Sequence, residues 1–159
     1  MKVDIESGII TIDNEHILKP LMTVEEIRES KLVELMTEKS KEKLMNDPTY
    51  PLFMKCNIDG EEISIKLDIS KEKLRGVYIK VDPTEISRSY QNDDMDTFNE
   101  IVNKNAAFMR EIFKGNTNRL YNFKWGYAEF NPGYRTYNVN IQIEYYSQEL
   151  MDGFESKFK

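Results

Sequence analysis

The clearest alternation of apolar and polar positions lies near the C-terminal end of the chain. From Tyr137 to Tyr145 the odd positions are apolar, and the even positions are Asn, Gln or Glu. From Tyr121 to Tyr127 every odd position is aromatic. A period of two is typical of a strand that buries one face and exposes the other. The pattern predicts two strands, separated by a turn at Asn131-Pro132-Gly133, that pair as an aromatic hairpin.

A second hairpin is centred on Asp59-Gly60, a dipeptide that favours a type I′ turn. Apolar residues alternate over residues 52–58 and 63–69 on either side of it. Residues 77–81 follow as a third strand, so the middle of the chain is predicted to be a three-strand meander. The apolar pairs expected on one face of the hairpin are Cys56 with Ile63, Met54 with Ile65, and Leu52 with Leu67.

The first 17 residues predict a smaller ribbon. Its first turn is expected at Ser7-Gly8, as a two-residue turn, and its second turn at Asp13-Asn14. The apolar neighbours that this register predicts are Ile5 with Ile10, Val3 with Ile12, and Ile17 beside Ile10.

Helix signals separate these hairpins. Thr23 and Glu26 have the spacing of a capping box at the start of a short helix. Residues 30–45 are also helix-prone, and Asp47-Pro48 ends that segment because the residue before a proline avoids helical angles. A long helix begins at Asp93 or Asp94 and has apolar residues every three to four positions. The stripe expected to face the sheet consists of Met95, Phe98, Ile101, Val102, Ala106, Met109, Ile112 and Phe113.

This order of elements indicates an α+β fold. Hairpins separated by helices, without β-α-β alternation, are typical of an antiparallel sheet. We therefore predict an antiparallel β-sheet, made of a hairpin, a three-strand meander and a C-terminal aromatic hairpin, with helices packed on one face. A chain of 159 residues is long enough for one core. We expect a single domain over residues 1–159, in which residues 147–159 form a short amphipathic helix or a frayed tail.

Composition and charge narrow the classes of partner. The chain is 40% hydrophobic and 31% charged, as globular proteins are, and its net charge is −6. An acidic chain lacks the basic surface that non-specific nucleic-acid binding needs, and it favours a basic macromolecular partner. No apolar run approaches the roughly 18 residues that span a bilayer, and residues 1–6 lack the apolar segment of a signal peptide. We expect a cytoplasmic protein that binds neither membrane nor nucleic acid.

The sequence carries no recognisable motif for catalysis or cofactor binding. Its glycines are isolated, so no phosphate-binding loop is formed, and no nucleophile elbow occurs. One cysteine and one histidine exclude an internal disulfide and a zinc site made of Cys and His alone. Cys56 is predicted to be a small buried hydrophobe and His16 a structural or surface residue. We expect no enzyme activity, cofactor or metal, although paired carboxylates leave an oxygen-ligand metal site or a glycosidase site open.

Aromatic residues outside the predicted buried face are candidates for contact with a partner. A base-stacking platform would need basic neighbours, but only Lys124 and Arg135 lie nearby, so a core role is favoured for the aromatic strands. Phe130, Tyr134 and Tyr146 do not fit the buried face, and tyrosine is common at interfaces. The candidate partner-binding residues are these three aromatics and the acids Glu38, Glu42, Asp93, Asp94 and Asp96.

Three features together resemble a known class of proteins. They are an opening I-x-I hairpin followed by Leu18-Lys-Pro-Leu-Met-Thr23 and a short helix, the three-strand meander, and the Trp125-Gly126 strand paired with residues 138–145. This layout is similar to that of small bacterial proteins grouped with the immunity proteins of polymorphic or contact-dependent toxin systems. The resemblance covers most of the chain and implies a non-enzymatic, toxin-binding protein whose acidic surface suits a basic toxin. It carries over no individual functional residue.

Two functional hypotheses follow, with a third on assembly. The favoured hypothesis is a non-catalytic protein-binding protein, most concretely an immunity-type inhibitor of a bacterial toxin. The alternative is a small-molecule-binding module or an enzyme with a pocket between the sheet and the long helix, which an apolar pocket with converging polar groups would support. The third is homodimerisation through an edge strand or through the apolar positions Leu150, Phe154 and Phe158.

Overall fold

A computed structural model gives the fold of the chain. It describes residues 1–47, 51–83, 92–114, 119–133 and 138–157, and for residues 92–94 and 153–157 it describes the backbone alone. The elements in this part of the chain are, in order, β1 (Lys2–Val3), β2 (Ile10–Thr11), β3 (Ile17–Leu18), α1 (Val24–Glu29), a 3₁₀ helix (Lys31–Leu35), α2 (Glu38–Asn46), β4 (Leu52–Ile58), β5 (Glu61–Ser70), β6 (Lys73–Val81), α3 (Asn92–Ile112), β7 (Leu120–Asn122), β8 (Gly126–Asn131), β9 (Asn140–Tyr145) and α4 (Gln148–Lys157).

The strands form two antiparallel sheets. The small sheet has the order β1-β2-β3, and the large one has the order β4-β5-β6-β9-β8-β7. Because β9 lies between β6 and β8, it joins the middle meander to the C-terminal strands. Helix α3 packs against β6 and β9 of the large sheet and against β1 of the small one. Antiparallel sheets combined with helices confirm the predicted α+β fold.

The middle meander has the predicted register. All three expected apolar pairs between β4 and β5 are present. Asp59 and Gly60 have positive φ angles of 53° and 86°, as a type I′ turn requires, and Asn57 Oδ1 accepts a hydrogen bond from Gly60 N at 3.0 Å. Strand β6 begins four residues earlier than expected, at Lys73. Agreement between a specific turn dipeptide and the apolar alternation fixes this hairpin from sequence alone.

The predicted register of the N-terminal ribbon is wrong. Val3 pairs with Ile10, and Leu18 rather than Ile17 lies on the other side of Ile10. Ile5 and Ile17, which were expected beside Ile10, are 40% and 39% exposed. The connection between β1 and β2 is therefore wider than a two-residue turn.

A local side-chain cap explains the wider turn. The Asp4 carboxylate accepts hydrogen bonds from the backbone N–H groups of Glu6 and Ser7, both at 2.9 Å. Gly8 follows with a φ of +74°, which glycine adopts without strain. Asp and Asn side chains commonly stabilise turns in this way, and apolar alternation does not reveal them.

The short helices begin where the sequence places them. Glu26 N donates to Thr23 Oγ1 at 3.2 Å and Thr23 N donates to Glu26 Oε2 at 2.7 Å, so the capping box is confirmed. The helix-prone segment that follows is interrupted at Met36, which forms a β-bridge with Met54. Ser30 caps the 3₁₀ helix before this break, and α2 after it ends at Asn46, next to the predicted stop.

Helix α3 buries most of its predicted stripe and one polar residue that the pattern missed. Met95 is the exception in the stripe, because its side chain is 44% exposed. Asn105 is completely buried, and its Oδ1 accepts a hydrogen bond from Val81 N at 2.8 Å. Its Nδ2 donates to Val81 O at 2.8 Å and to Ile101 O at 2.9 Å. Asn105 thus pairs the backbone of β6 beyond Ile79, where the pairing between β6 and β9 ends.

The aromatic segment contains a hairpin of its own, which corrects the prediction of one strand over residues 121–127. Strand β7 ends at Asn122 and β8 begins at Gly126, with Phe123 N donating to Gly126 O at 2.9 Å across the turn. The turn changes the phase of the alternation, so Tyr127 is half-buried on the opposite side from Tyr121. Gly126 is needed here because a Cβ atom would clash with Glu144 O of β9.

Aromatic rings around this hairpin connect the two sheets. Trp125 stacks on Phe123 with ring centroids 4.6 Å apart and lies 5.7 Å from the ring of Tyr145. Trp125 Nε1 donates to Ile5 O at 2.9 Å, and the Tyr145 hydroxyl donates to Gly8 O at 3.2 Å. A Cβ on Gly8 would lie 2.6 Å from Trp125 Cδ2. The turn between β1 and β2 therefore packs directly against Trp125 and Tyr145.

The large sheet has two unlike faces. One face supplies buried residues from β4, β5, β6, β8 and β9 to the core, which α3 and the small sheet also enter. The side chains that alternate with these are exposed or half-buried along the same strands. The fully buried members of the core from the large sheet include Leu52, Met54, Ile63, Ile65, Leu67, Val77, Ile79, Ile141 and Ile143.

Candidate interaction surface

The second face of the large sheet is a polar surface that extends over several strands. Strand alternation places the side chains of this face opposite those of the core. All of them are exposed or half-buried except Asn140, which is 7% exposed. We call this surface the open face, and it consists of Phe53, Lys55, Asn57, Ser64, Lys66, Asp68, Tyr78, Lys80, Tyr127, Glu129, Asn131, Asn140, Gln142 and Glu144.

Hydrogen bonds order the centre of the open face. Glu144 Oε1 accepts from the Tyr78 hydroxyl at 3.1 Å and from Gln142 Nε2 at 2.6 Å. Lys66 Nζ lies 4.1 Å from the centroid of the Tyr78 ring and 3.3 Å from Asp68 Oδ1. These contacts cross three neighbouring strands, so the side chains hold defined positions before any partner arrives.

The tyrosines of the open face act as hydrogen-bond donors at neutral pH. Burial, followed by the negative charge of Glu144, raises the pKa of Tyr78 well above its ordinary value. The same two causes raise the pKa of the Tyr127 hydroxyl. Both phenols therefore stay protonated in the physiological range, and each offers an apolar ring with a polar tip, a combination that is enriched at protein interfaces.

One end of the open face contains a small pocket. It has a volume of about 220 Å³. Asn140 Nδ2 donates to Asn138 O at 3.2 Å, whereas Asn140 Oδ1 is buried and has no hydrogen-bond partner in the part of the chain that the structure describes. We call this site the open-face pocket, and it is lined by Phe53, Ser64, Lys66, Tyr78, Lys80, Asn138 and Asn140.

A second groove bears on the small-molecule alternative. It lies at the rim of the sheet beside α3, where Ile58, Ala107 and Phe108 are apolar and Lys104 is polar. The Lys104 ammonium is already paired with Asp82 Oδ2 at 3.0 Å. The volume of about 220 Å³ is below the roughly 300–1,000 Å³ that small-molecule sites usually have. The dimensions of this groove favour contact with a protein side chain over an enclosed ligand.

The acids predicted on α2 lie in a mixed-charge environment. Glu38 and Glu42 are exposed and one helical turn apart. Glu38 Oε1 forms an ion pair with Lys41 Nζ at 2.7 Å. Helix α2 also carries Lys39 and Lys43, so its lysines outnumber its glutamates. The helix therefore presents no net negative surface.

The acids predicted on α3 are concentrated at its start. Asp93, Asp94 and Asp96 all fall in the first residues of the helix, where the helix dipole favours negative charge. The side chain of Asp96 is exposed, and those of Asp93 and Asp94 lie outside the described part. Since α2 packs against β4 and α3 against β6 and β9, the five predicted acids belong to two separate elements.

The three predicted contact aromatics have different outcomes. Phe130 is only 8% exposed, because the change of phase after Trp125 turns it into the core, and its predicted role in an exposed patch is wrong. Tyr146 is half-buried directly after β9, with its backbone N–H donating to Trp125 O at 2.9 Å. Tyr134 lies outside the described residues.

His16 stabilises the turn before β3. Its Nδ1 lies 2.8 Å from both carboxylate oxygens of Asp13, which also accepts a hydrogen bond from the His16 backbone N–H at 2.9 Å. The imidazole is 7% exposed, and its Nε2 lies 3.6 Å from Glu34 Oε2. Cys56 is half-buried, and burial raises the pKa of its thiol. The contacts of His16 and the partial burial of Cys56 therefore favour a structural role for each side chain.

No group of three or more His, Cys, Asp or Glu side chains in the described ranges is placed to hold a metal ion. None of the helices in those ranges combines the length and the apolar character needed to cross a bilayer.

The fold is similar to that of a chain in a solved toxin complex. No protein-family model matches the sequence, and no curated protein matches it. A chain in the structure of Rhs1-CT in complex with cognate immunity protein RhsI1 superimposes with a TM-score of 0.56 and 13% sequence identity. The superposition covers 99% of this chain and 96% of the other. At this level of identity the similarity shows a shared fold.

Proposed function

We propose that this chain is a non-catalytic immunity-type protein that binds and inhibits a bacterial toxin. The observation that carries the proposal is the shared fold, over almost the full length of both chains, with a chain of a complex between Rhs1-CT and its cognate immunity protein. The layout of hairpins, meander and Trp125-Gly126 strand, which resembles immunity proteins, points to the same class.

The open face supports a protein partner rather than a small ligand. It is broad, it spans several strands, and Glu144 holds the Tyr78 hydroxyl in place before binding. Ordered aromatic side chains with polar tips add contact area at a low entropic cost. The largest contribution to binding is expected from Tyr78 and Tyr127, with Tyr134 and Tyr146 as further proposed contacts.

The start of α3 is the proposed steering surface for a basic toxin. Asp93, Asp94 and Asp96 place three acids within four residues, and the chain as a whole has a net charge of −6. Complementary charge accelerates the encounter of two proteins more than it strengthens the final complex. Glu38 and Glu42 are proposed as weaker contributors, because lysines surround them on α2.

Growth protection tests the function. The toxic domain encoded by the gene immediately upstream is expressed from an inducible promoter, with and without this protein. We expect cells that carry this protein to survive induction, and the two proteins to co-purify in equal amounts. Absence of an upstream toxin gene, or toxicity that is undiminished at excess of this protein, would contradict the proposal.

Charge reversal tests the steering surface separately. The double variant Asp94→Lys with Asp96→Lys is compared with the matched variant Glu38→Lys with Glu42→Lys, by stopped-flow association with the toxin domain at several salt concentrations. We expect the α3 variant to associate about 10-fold more slowly at low salt and to lose most of its salt dependence. We expect the α2 variant to change both quantities less. Equal rates and equal salt slopes in both variants would rule out α3 as the steering surface.

Homodimerisation is a weaker proposal because part of one sheet edge is occupied. At the β4 edge, Phe53 N donates to Ser40 Oγ at 2.8 Å and Phe53 O accepts from Thr37 N at 3.0 Å. In the tail, α4 leaves Leu150 55% exposed, and the side chains of Phe154 and Phe158 lie outside the described part. Light scattering of the full chain and of a chain truncated after Tyr146 tests the role of the tail. The same number of copies per particle for both chains would exclude the tail as the dimer interface.

A further inference from the structure

The open-face pocket holds an unsatisfied buried acceptor. Asn140 is 7% exposed, and its Oδ1 has no hydrogen-bond partner in the described part of the chain. A buried carbonyl oxygen without a donor is unfavourable and uncommon in folded proteins. Among the described residues, the amide is held by one hydrogen bond, from its Nδ2 to Asn138 O at 3.2 Å. A small rotation of this amide would therefore present Oδ1 to a donor that enters the pocket.

The same pocket contains a lysine that no acid in the described part of the chain neutralises. Ser64 is paired with Lys80 across the β5–β6 ladder. Ile79 pairs with Ile141, so the register places Lys80 beside Asn140. Lys80 forms no ion pair with an acid within the described ranges, whereas Lys66 in the same pocket is 3.3 Å from Asp68. Lys80, which has no acid partner in the described ranges, thus lines the same pocket as Asn140, whose Oδ1 has no donor there.

We propose that the open-face pocket binds a carboxylate side chain of a protein partner. Lys80 pairs with the carboxylate, and Asn140 Oδ1 accepts a hydrogen bond from a backbone N–H of the same partner segment. This inference deepens the proposed function, because it rests on a protein partner and names the chemistry of one contact. The chain would then contact its partner through a positive site, the open-face pocket, and through a negative one, the start of α3. Two contacts of opposite charge fix the orientation of a complex.

The shape and chemistry of the pocket favour a peptide carboxylate over a free anion. A volume of about 220 Å³ suits one side chain rather than a whole small molecule. An orphan acceptor requires a donor, and an Asp or Glu residue in an extended segment supplies a carboxylate together with a main-chain N–H. Phe53, which is 42% exposed at the edge of the pocket, offers apolar contact for the stem of the side chain. Inorganic phosphate would use the lysine without any of the peptide's N–H groups.

An NMR titration of the full chain tests the proposal without the toxin. Two probes are added at constant ionic strength: an acetylated and amidated Gly-Asp-Gly-Glu-Gly peptide, and inorganic phosphate. We expect saturable shifts of the Asn140 side-chain amide and of the Lys80 backbone amide with the peptide, at a dissociation constant of about 1 mM. An amidated Gly-Asn-Gly-Gln-Gly peptide, which keeps the N–H groups and removes the charge, should bind at least about 5-fold more weakly.

Lys80→Gln and Lys55→Gln form the matched pair of variants. Both lysines belong to the open face, but only Lys80 lines the pocket. The peptide should lose at least about 5-fold in affinity for Lys80→Gln and remain unchanged for Lys55→Gln, and Asn140→Leu should also weaken it. Equal affinities for the two lysine variants, the absence of saturable shifts, or binding of phosphate without the acidic peptide would overturn the proposal.

Peptide binding in the open-face pocket and growth protection against the toxin can fail independently of each other. Growth protection that persists in a protein whose pocket fails to bind the acidic peptide would retain the function and remove this contact. Peptide binding at Lys80 without any growth protection would retain the pocket and remove the toxin as the partner.

Discussion

The two faces of the large sheet are made by the same strands but differ in burial and polarity. On one face Ile65, Ile79 and Ile141 are fully buried in the core. On the other face, neighbouring residues of those strands, such as Lys66 and Tyr78, are half-buried and exchange polar contacts. We therefore expect that the stability of this fold and its capacity for recognition can be altered separately. A substitution on one face of the sheet should leave the other face unchanged.

The largest effect is expected for Trp125→Ala on the core side. Trp125 is 3% exposed, stacks on Phe123 and donates a hydrogen bond to Ile5 O, so its loss removes one of the contacts between the two sheets. We expect the free energy of unfolding to fall by about 3–5 kcal/mol in a urea titration. Tyr127→Ala on the open face is the control, with an expected loss of about 1 kcal/mol. Equal losses would mean that the faces do not divide as described.

A smaller effect is expected for Asn105→Ala. Asn105 satisfies both the N–H and the C=O of Val81, and its replacement leaves two buried backbone groups without partners. We expect a loss of about 2–4 kcal/mol. Asn103→Ala, at an exposed position of the same helix, should change stability by less than about 0.5 kcal/mol. A loss at Asn105 no greater than that at Asn103 would show that the Val81 contacts contribute nothing.

The smallest change in stability is expected for Tyr78→Phe on the open face. The substitution removes the donor to Glu144 Oε1, but Gln142 Nε2 still donates to the same oxygen at 2.6 Å. We expect a loss of about 1 kcal/mol or less in urea, together with weaker toxin binding. We therefore expect Tyr78→Phe to weaken toxin binding without a comparable loss of stability. A loss of several kcal/mol would show that Tyr78 belongs to the structural side of the sheet.

The sequence predicted the buried face better than the open one, for a physical reason. The β4–β5 hairpin was correct because Asp59-Gly60 and the apolar alternation specify the same register. The β1–β2 turn was wrong because the Asp4 carboxylate decides its width, and a single side-chain cap leaves no periodic signal. The phase change at Gly126 was missed for a similar cause, since it depends on how closely β9 approaches.

The candidate surface was the least predictable feature. Tyr78 is an aromatic residue at a polar position of its strand, which was the one local sign of the open face. Its connection to Glu144 spans 66 residues and requires the sheet order, in which β9 lies beside β6. Asn140 differs from the other polar residues of β9 in that its buried Oδ1 has no hydrogen-bond partner in the described part of the chain, which no sequence pattern indicates. A periodic pattern encodes burial, whereas a recognition surface depends on which strands become neighbours.

The most direct test of the toxin-inhibitor proposal is a titration of purified toxin domain with this protein while the toxin's activity is followed. We expect activity to fall linearly to zero at one equivalent, with a complex mass equal to one copy of each protein by light scattering. Lys124→Gln, at an exposed position of the β7–β8 turn outside the open face, should give the same titration as the unaltered chain. Full toxin activity at a tenfold excess of this protein would contradict the account.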